Sequence, residues 1–575
     1  MEIENILKGA ILSALREMDL SDCDFDLESG DQSGIHGDYA TNAALLAFSK
    51  DKKNTTVKNP LELARKIIKI LEREASLQGV IAKMEAAPPG FVNFYLSEEF
   101  YWHFLLEVFK RGDDFGRQSV GQGKTIVIDY SSPNVAKPFG VGHLRSTVIG
   151  QALYNIFSFL GYRVIGDNHL GDWGTQFGVL LFQIDQNKLD ADKLTIEDLE
   201  KLYVSFHKRL DKEPQLQDEA RSRFRRLESG EPKLKKIWQK LVDLSLTEYQ
   251  RVYQLLGVEI DLCLGESFYQ DKMALVLADA HKKNLIVKSQ GALVIPLKDS
   301  LVPAMLVKSD GATTYLLRDL ATIRYRVEKY NPELIIYEVG ADHKLHFSQV
   351  FESAQKLGYI DRKKLVHVAH GMIRGRFGKL STRAGKSVYL EKILTEAIDR
   401  AKQLAAQAGI AKSLPEGEQK EVAKKVGIGA VKYNDLKQNP KTNIVFDWEK
   451  ILSLEGNSGP YLQYTYARAR RIIEKEKPDL LKTPNYQPKN DELSIIRLIC
   501  YFEKTIRQSA KNFSPNLIAN HLYQIAQSYN TFYGRHRVLV KDQETRIFRL
   551  LLTAAVAQTL KNGLALLGIE APEKM

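Results

Sequence analysis

The sequence predicts an α/β protein built on a doubly wound parallel sheet with a helical insertion, preceded by a small α+β domain and followed by an all-α bundle. Three observations carry this. Short β-branched apolar runs, "TIVIDY", "RVIGD", "ELIIYEVG" and "KLVHVAHG", alternate with helical patterns between Thr125 and Gly371, as in a parallel sheet. The stretch from about 185 to 258 breaks that alternation with highly charged helical sequence, "EARSRFRRLESGEPKLKKIWQKL" among it. Beyond Ser413 helical spacing dominates.

A chain of 575 residues with 44% hydrophobic content has room for three or four domains, each with a core. The net charge of +11, from 82 basic and 71 acidic residues, is compatible with a polyanionic partner such as nucleic acid. Cys23, Cys263 and Cys500 show no paired spacing, so neither a disulfide framework nor a cysteine zinc site is expected, and a reducing cytosol fits. At the N-terminus Ile3, Ile6, Leu7, Ala10, Ile11, Ala14 and Leu15 share one helical face, the pattern of a packing helix and not of a signal peptide. No uncharged apolar run approaches membrane-spanning length, so the expectation is a soluble, cytoplasmic protein.

Residues 1–115 read as the small α+β domain, ending near "RGDDFGRQSVGQGKT"; within it "HGDYATNAAL" gives turn residues and then a short helix. Residues 116–412 read as the sheet domain. Its first strand runs into "SSPNVAKPFGVGHLRST", and a helix starting near His143 follows, with Val148, Ala152, Ile156 and Phe159 at helical spacing and Gly161 as C-cap. Free N–H groups and the positive dipole end at that helix start suit phosphate. Pro138 and Gly140 are expected to shape the loop, and Gly142 to admit close approach of another group. Ligands of such sheets sit at the C-terminal strand ends, where this loop lies. The dinucleotide G-x-G-x-x-G pattern is absent, and Gly385-Lys386-Ser387 fails as a P-loop because Leu380 stands where the first glycine belongs. The insertion's charge runs read as a solvated face.

Residues 413–454 read as a linking helical segment and 455–575 as the bundle, interrupted by a loop with Pro478, Pro484 and Pro488. In "YLQYTYARARRIIEK" tyrosines interleave with Arg468, Arg470 and Arg471. Such a run either stacks on bases and meets phosphates, or places its tyrosines in the bundle and its arginines in water. His343 with His346, and His367 with His370, form two H-x-x-H pairs. Without H-E-x-x-H or assisting cysteines, no protein-bound metal is expected from them.

"SPNVAKPFGVGHLRST" closely resembles the region around the HIGH motif of arginyl-tRNA synthetases, a family of class I aminoacyl-tRNA synthetases. "NHLGDWGTQFG", "GATTYLLRDLAT", "GADHKLHFSQVF" and "GKLSTRAGKSVYL" resemble further blocks in the family's order, and "NGLALLGIEAPEKM" its usual ending. The likeness covers nearly the whole chain. It implies a class I Rossmann-type catalytic domain between an N-terminal tRNA-binding domain and a helical anticodon-binding domain. The implied reaction activates L-arginine with ATP, accompanied by Mg2+ on its phosphates, and passes the arginyl group to tRNA(Arg); the family is usually monomeric.

The resemblance assigns ATP to Pro133, Lys137, Gly140, Gly142, His143, Lys379 and Ser381, with Lys137, His143, Lys379 and Arg383 catalytic. It departs from the family pattern twice. Gly140 replaces the first HIGH histidine, and Thr382 stands where the second lysine of KMSKS usually meets pyrophosphate. Lys137 matches a lysine that supplies that charge in some members, with Lys379 and Arg383 as alternatives. Arginine is assigned to Asn134, Asn168, Glu266, Tyr315, Asp319 and Gln349, where fixed carboxylates suit a guanidinium. Tyr461, Arg468 and Arg471 are assigned to tRNA. Two other readings stay open at this level: a nucleotidylyl transferase sharing the strand-loop-helix, and an inactive RNA-binding relative, which Gly140 and Thr382 would favour.

Overall fold

The structure, a computed structural model, describes residues 3–20, 23–29, 37–51, 57–298, 302–375, 378–379, 388–407, 414–476 and 484–575. Four strands form the central sheet in the spatial order Arg163–Asp167, Thr125–Asp129, Leu334–Gly340, Leu365–His370, all parallel. These are the four apolar runs of the sequence. The strand order reverses between Thr125–Asp129 and Leu334–Gly340, so a crevice opens at their C-terminal ends. Buried Arg326 joins two neighbouring strand ends there, reaching Asp129 at 2.7 Å and Asp167 at 2.8 Å.

The helix after the first strand, Leu144–Phe159, is buried on nearly every side through its first half. It lies so close to the sheet that a Cβ on Gly150 would stand 2.3 Å from the Tyr130 side chain. Gly161 follows with φ +83°, the left-handed conformation expected of a helix-ending glycine.

The charged insertion is helical, comprising Ile196–Leu210, Leu216–Glu228 and Pro232–Leu256 after the sheet-domain helix Thr175–Gln186. Many of its charges are exposed and paired, Arg226 with Glu231 at 2.6 Å and Arg223 with Asp185 at 2.7 Å. One unit was not legible as strand. Val287–Ser289, Ala292–Ile295 and Ala304–Val307 make a three-stranded antiparallel sheet. Runs of three or four residues, the first exposed throughout, are too short to show alternation. A second small sheet joins Ile373–Gly375 to Ile444–Phe446 in parallel.

The N-terminal domain has an antiparallel sheet flanked by Ile3–Glu17 and Pro60–Leu71. Of the expected apolar face of the first helix, Ile3, Leu7, Ala10, Ile11, Ala14 and Leu15 are buried and Ile6 is partly so. This domain docks on the C-terminal bundle. Buried Asp38 accepts from Leu96 N, Tyr101 Oη and, across the interface, Arg497 Nε at 2.5 Å. Phe115 stacks on Phe502 with ring centres 5.7 Å apart. In the bundle, Gln543–Leu566 is buried along most of its length and packs against Gly459–Lys475 and Asn516–Arg535.

Candidate active site at the C-terminal ends of the sheet

The loop between the first strand and its helix is held under backbone strain, though not at the residues the sequence suggests. Ser131, Ser132 and Ala136 have φ of +70°, +44° and +61°, a conformation costly for residues with a Cβ. Gly140 and Gly142 do not need it. A Cβ on Gly140 would meet only Val388 O at 3.7 Å, and one on Gly142 would enter open space.

Hydrogen bonds from neighbouring elements fix the strained conformation. Ser131 N donates to Ser146 Oγ at 2.9 Å, Ser132 N to Asn168 Oδ1 at 3.0 Å, and Ala136 N to Ser245 Oγ at 2.9 Å. Tyr249 Oη donates to the carbonyls of Asn134 and Lys137 at 2.6 and 3.0 Å. Tyr253 Oη lies 2.8 Å from Ser131 Oγ. Ser245, Tyr249 and Tyr253 recur every fourth residue on one face of the helix Pro232–Leu256. That spacing was visible in the sequence; the loop it serves was not.

The sequence-assigned residues divide around this loop. Lys137 is partly buried, with Nζ 5.2 Å from the centre of the Tyr203 ring on the insertion. Burial lowers its pKa, and among the described residues no carboxylate pairs with it. His143 sits at the helix start beside Phe139, its Nδ1 buried without a hydrogen-bond partner among the described residues. Burial pushes its pKa down to about 4, so its imidazole is neutral at physiological pH. Pro133 is buried and its carbonyl accepts from Gly171 N at 3.2 Å. Asn134 is exposed, with Oδ1 so near Gly171 that a Cβ there would lie 2.3 Å away. Asn168 is fully buried, its Oδ1 taken by Ser132 N and its Nδ2 donating to Tyr253 Oη at 3.0 Å. It holds the loop from behind. Ser381 and Arg383, with Thr382 and the side chain of Lys379, lie outside the described residues.

Beyond the loop, Glu266, Tyr315 and Asp319 come together. Glu266 opens the short helix Glu266–Tyr269, and Tyr315 and Asp319 lie one turn apart at the start of Tyr315–Tyr330, which Thr314 caps through Leu317 N. Glu266 is nearly buried, and its Oε2 accepts from Arg318 Nη1 at 2.9 Å. Burial raises its pKa to about 7; Arg318 and His169 pull it down, Asp319 and Asp172 push it up. Asp319 Oδ2 lies 2.5 Å from His346 Nε2, and that contact raises the His346 pKa against the effect of burial. Tyr315 is 64% exposed, and the Arg318 guanidinium lies over its ring. Gln349 is one turn beyond His346 on Lys344–Lys356, and its Nε2 donates to Val302 O at 2.9 Å. Nothing in the sequence pairs Arg318 with Glu266, and His346, noted there only in an H-x-x-H run, carried no sign of its partner Asp319.

The other H-x-x-H histidines have separate partners. His370 Nδ1 pairs with Glu338 Oε1 at 2.9 Å, and His367 Nε2 lies 3.1 Å from Val339 O. Among the described residues no group of three His, Cys, Asp or Glu side chains is placed to hold a metal ion. No described helix is long and apolar enough to cross a membrane.

In the bundle, Tyr466 is buried and Tyr461 partly so, its ring 5.8 Å from that of Tyr523. The Arg468 guanidinium lies between the rings of Tyr464 and Tyr533, 4.7 and 5.1 Å from their centres, and donates to Asn530. Arg471 is exposed.

Three family models match the chain in succession: the arginyl tRNA synthetase N terminal domain over residues 1–96, the class I (R) tRNA synthetase catalytic domain over 107–448, and the DALR anticodon binding domain over 462–575. An arginine–tRNA ligase of Halothermothrix orenii is 41% identical over 494 residues, covering 84% of this chain and 86% of its own. One of Clostridioides difficile is 38% identical over 545 residues, 94% of each chain. The solved Thermus thermophilus arginyl-tRNA synthetase superposes with a TM-score of 0.82 over 100% of both chains at 24% identity, a likeness of fold. The chain therefore belongs to the arginyl-tRNA synthetase family.

Proposed function

We infer that this chain activates L-arginine with ATP and transfers the arginyl group to the 3′ end of its cognate tRNA, as an arginine–tRNA ligase. Family membership supports the reaction. The observation that supports the substrate is the meeting of two carboxylates, Glu266 and Asp319, beside an exposed tyrosine, Tyr315.

In the first step an oxygen of arginine's carboxylate attacks the α-phosphorus of ATP. The bond to pyrophosphate breaks and a mixed anhydride forms. The residues' task is to position the reactants and to meet developing negative charge. In this reading the short turn Val141–His143 that leads into Leu144–Phe159, at the positive end of the helix dipole, faces the phosphates, and Pro133, Gly140 and Gly142 border the nucleotide. A neutral His143 donates a hydrogen bond without competing for a proton. Lys137, partly desolvated and unpaired with any described carboxylate, gains most from an anion; it is assigned the charge that Thr382 lacks, with Lys379, Ser381 and Arg383 sharing the pyrophosphate side. Magnesium belongs to the substrate, as the counter-ion of ATP's phosphates.

Glu266 and Asp319 would receive the guanidinium, Tyr315 its face, Gln349 its flank and Asn134 the α-amino end. Asn168 would act through the loop it holds. In the second step a ribose hydroxyl of the tRNA attacks the carbonyl carbon and AMP leaves. Tyr461, Arg468 and Arg471 are read as a tRNA-facing strip of the bundle. The enzyme is read as a cytoplasmic monomer. ATP–pyrophosphate exchange with each amino acid, with and without total tRNA, tests this directly. Exchange should appear with arginine and depend on tRNA. Exchange with another amino acid, or none at all, would refute the assignment.

A further inference from the structure

Glu266 is read as a substrate carboxylate, yet one of its oxygens is already occupied. Arg318 Nη1 donates to Oε2 at 2.9 Å, with both side chains almost buried. The rest of the Arg318 guanidinium is also engaged. With the Gln270 amide turned to satisfy its neighbours, its oxygen accepts from Arg318 Nη2 at 3.0 Å and Nε at 3.3 Å, and from Trp173 Nε1 at 3.3 Å. The Tyr315 ring lies 5.4 Å from the guanidinium carbon. Edge, fork and face are thus all held, and a substrate guanidinium would have to break each contact to take this one's place.

We propose that Arg318 is a positioning residue of the arginine pocket: it stays on Glu266 Oε2 throughout turnover, fixes the carboxylate's rotation, and leaves Oε1 alone to receive the substrate. This rests on the reading that Glu266 binds arginine. It replaces a two-oxygen grip on one carboxylate with single-oxygen contacts from two. Asp319 follows the same arrangement, its Oδ2 taken by His346.

The pair also sets the charge of the pocket. Glu266 faces Arg318 and Asp319 from the helix Tyr315–Tyr330, His169 and Asp172 from the loop after the strand Arg163–Asp167, and Tyr315. Burial, Asp319 and Asp172 favour its protonated form; Arg318 is the strongest opposing influence. Without Arg318 the carboxyl would hold its proton at neutral pH, and a cationic substrate would first have to expel it. The defect should therefore fade as pH rises, which loss of packing would not do.

The test is the arginine KM and kcat in tRNA-supported pyrophosphate exchange from pH 6 to 9, for wild type, Arg318→Met, Arg318→Lys and Glu266→Gln. Arg318→Met should raise the arginine KM at pH 7 by more than about tenfold, the scale of one charged contact. The ATP KM should stay unchanged, and most of the defect should be recovered by pH 9. Arg318→Lys, which keeps the charge but not the fork, should be milder and follow the wild-type pH profile. An arginine KM that is unchanged or lowered in Arg318→Met would make the guanidinium a displaceable plug and overturn the proposal. A KM raised equally at every pH would reduce Arg318 to packing and overturn it too. Should Arg318→Met not fold, Arg318→Lys decides: a raised KM with the wild-type pH profile supports positioning, and an unchanged KM refutes it. Glu266→Gln separates the underlying reading. It should raise the arginine KM at every pH; if it does not, Glu266 is outside the pocket whatever Arg318 does.

Discussion

Lys137 and His143 stand six residues apart on one loop and are suited to different work. Burial disfavours charge on both, but Lys137 starts from 10.5 and His143 from 6.5. One side chain is therefore a cation seeking an anion, and the other a neutral donor. Lys137→Ala should lower the activation rate more than about tenfold, the cost of one transition-state contact. Thr382→Ala should do far less. Equal, mild effects in single-turnover measurements would move the role to Lys379 or Arg383. A second titration belongs to the bundle. His521, buried with Nε2 2.9 Å from Leu498 O, has its pKa pushed from 6.5 down to about 4. As pH falls, the unfolded chain takes up this proton before the folded one, so stability is lost between about 6.5 and 4. Between pH 7 and 5 wild type should lose roughly 2 kcal/mol that His521→Gln does not, read as the difference in denaturant midpoints of the bundle transition. Matching losses would show that another group governs the acid limb. Individual residues were legible unevenly. Glu266, Tyr315 and Asp319 were reached through family blocks, because sequence spacing says nothing about a carboxylate lying 53 positions from its partner. The partnering of Arg318 with Glu266 and of His346 with Asp319 is not legible because an internal ion pair leaves no local pattern.

At the scale of elements, one helix of the insertion decides the shape of the nucleotide loop. Pro232–Leu256 sends Ser245, Tyr249 and Tyr253 to five backbone or side-chain atoms of residues 131–137 and 168, and the left-handed backbone at Ser131, Ser132 and Ala136 depends on such partners. Ser245→Ala leaves the buried Ala136 N–H unpaired, a loss of about 1–3 kcal/mol. With Tyr249→Phe, which strips a donor from two carbonyls, it should lower kcat for activation and raise the ATP KM more than the arginine KM. Steady-state exchange would show this split; a defect confined to arginine would detach the helix from the loop. The four sheet strands and the long helices were legible because 3.6-residue and strand patterns are local. The small sheet around Ala292–Ile295 was not, since its strands are too short and one is fully exposed. The sequence points to Pro138 and Gly140 as the residues that shape the loop; the left-handed backbone at Ser131, Ser132 and Ala136 is not legible there, because long-range hydrogen bonds hold it.

Across the whole molecule, the two ends of the chain meet. Asp38, inside the "HGDYATNAAL" turn, receives Arg497 from the bundle, and Glu4 of the first helix pairs with Lys504. Elsewhere, buried Lys432 donates to Leu256 O at 2.6 Å and to Gly568 O, joining the end of the loop-holding helix to the C-terminal turn. A tRNA seated on the bundle would thus touch elements that reach the nucleotide loop. In the tyrosine–arginine run Tyr466 lies in the core, Arg468 is held against the rings of Tyr464 and Tyr533, and Arg471 is in water, which leaves Arg471 exposed for a phosphate. Neutralising Arg468 and Arg471 together should raise the tRNA KM and make its dependence on salt shallower, while the arginine KM stays nearly constant. Unaltered tRNA affinity would assign the run to packing alone.

In the proposed function this crevice recognises arginine by charge, through Glu266 and Asp319. Citrulline nearly copies arginine's shape but carries no positive charge, so a steric pocket would not exclude it; a pocket built to pair with its substrate's donors rejects an analogue lacking them by about 10⁴–10⁵. Asp319→Asn keeps the volume and removes the charge, while its side-chain oxygen can still face His346. The decisive measurement is pyrophosphate exchange with arginine and citrulline at saturating tRNA in wild type and Asp319→Asn. If the pocket reads charge, the variant shows a sharply raised arginine KM and a narrower arginine-to-citrulline ratio. A ratio equal to that of wild type would contradict it.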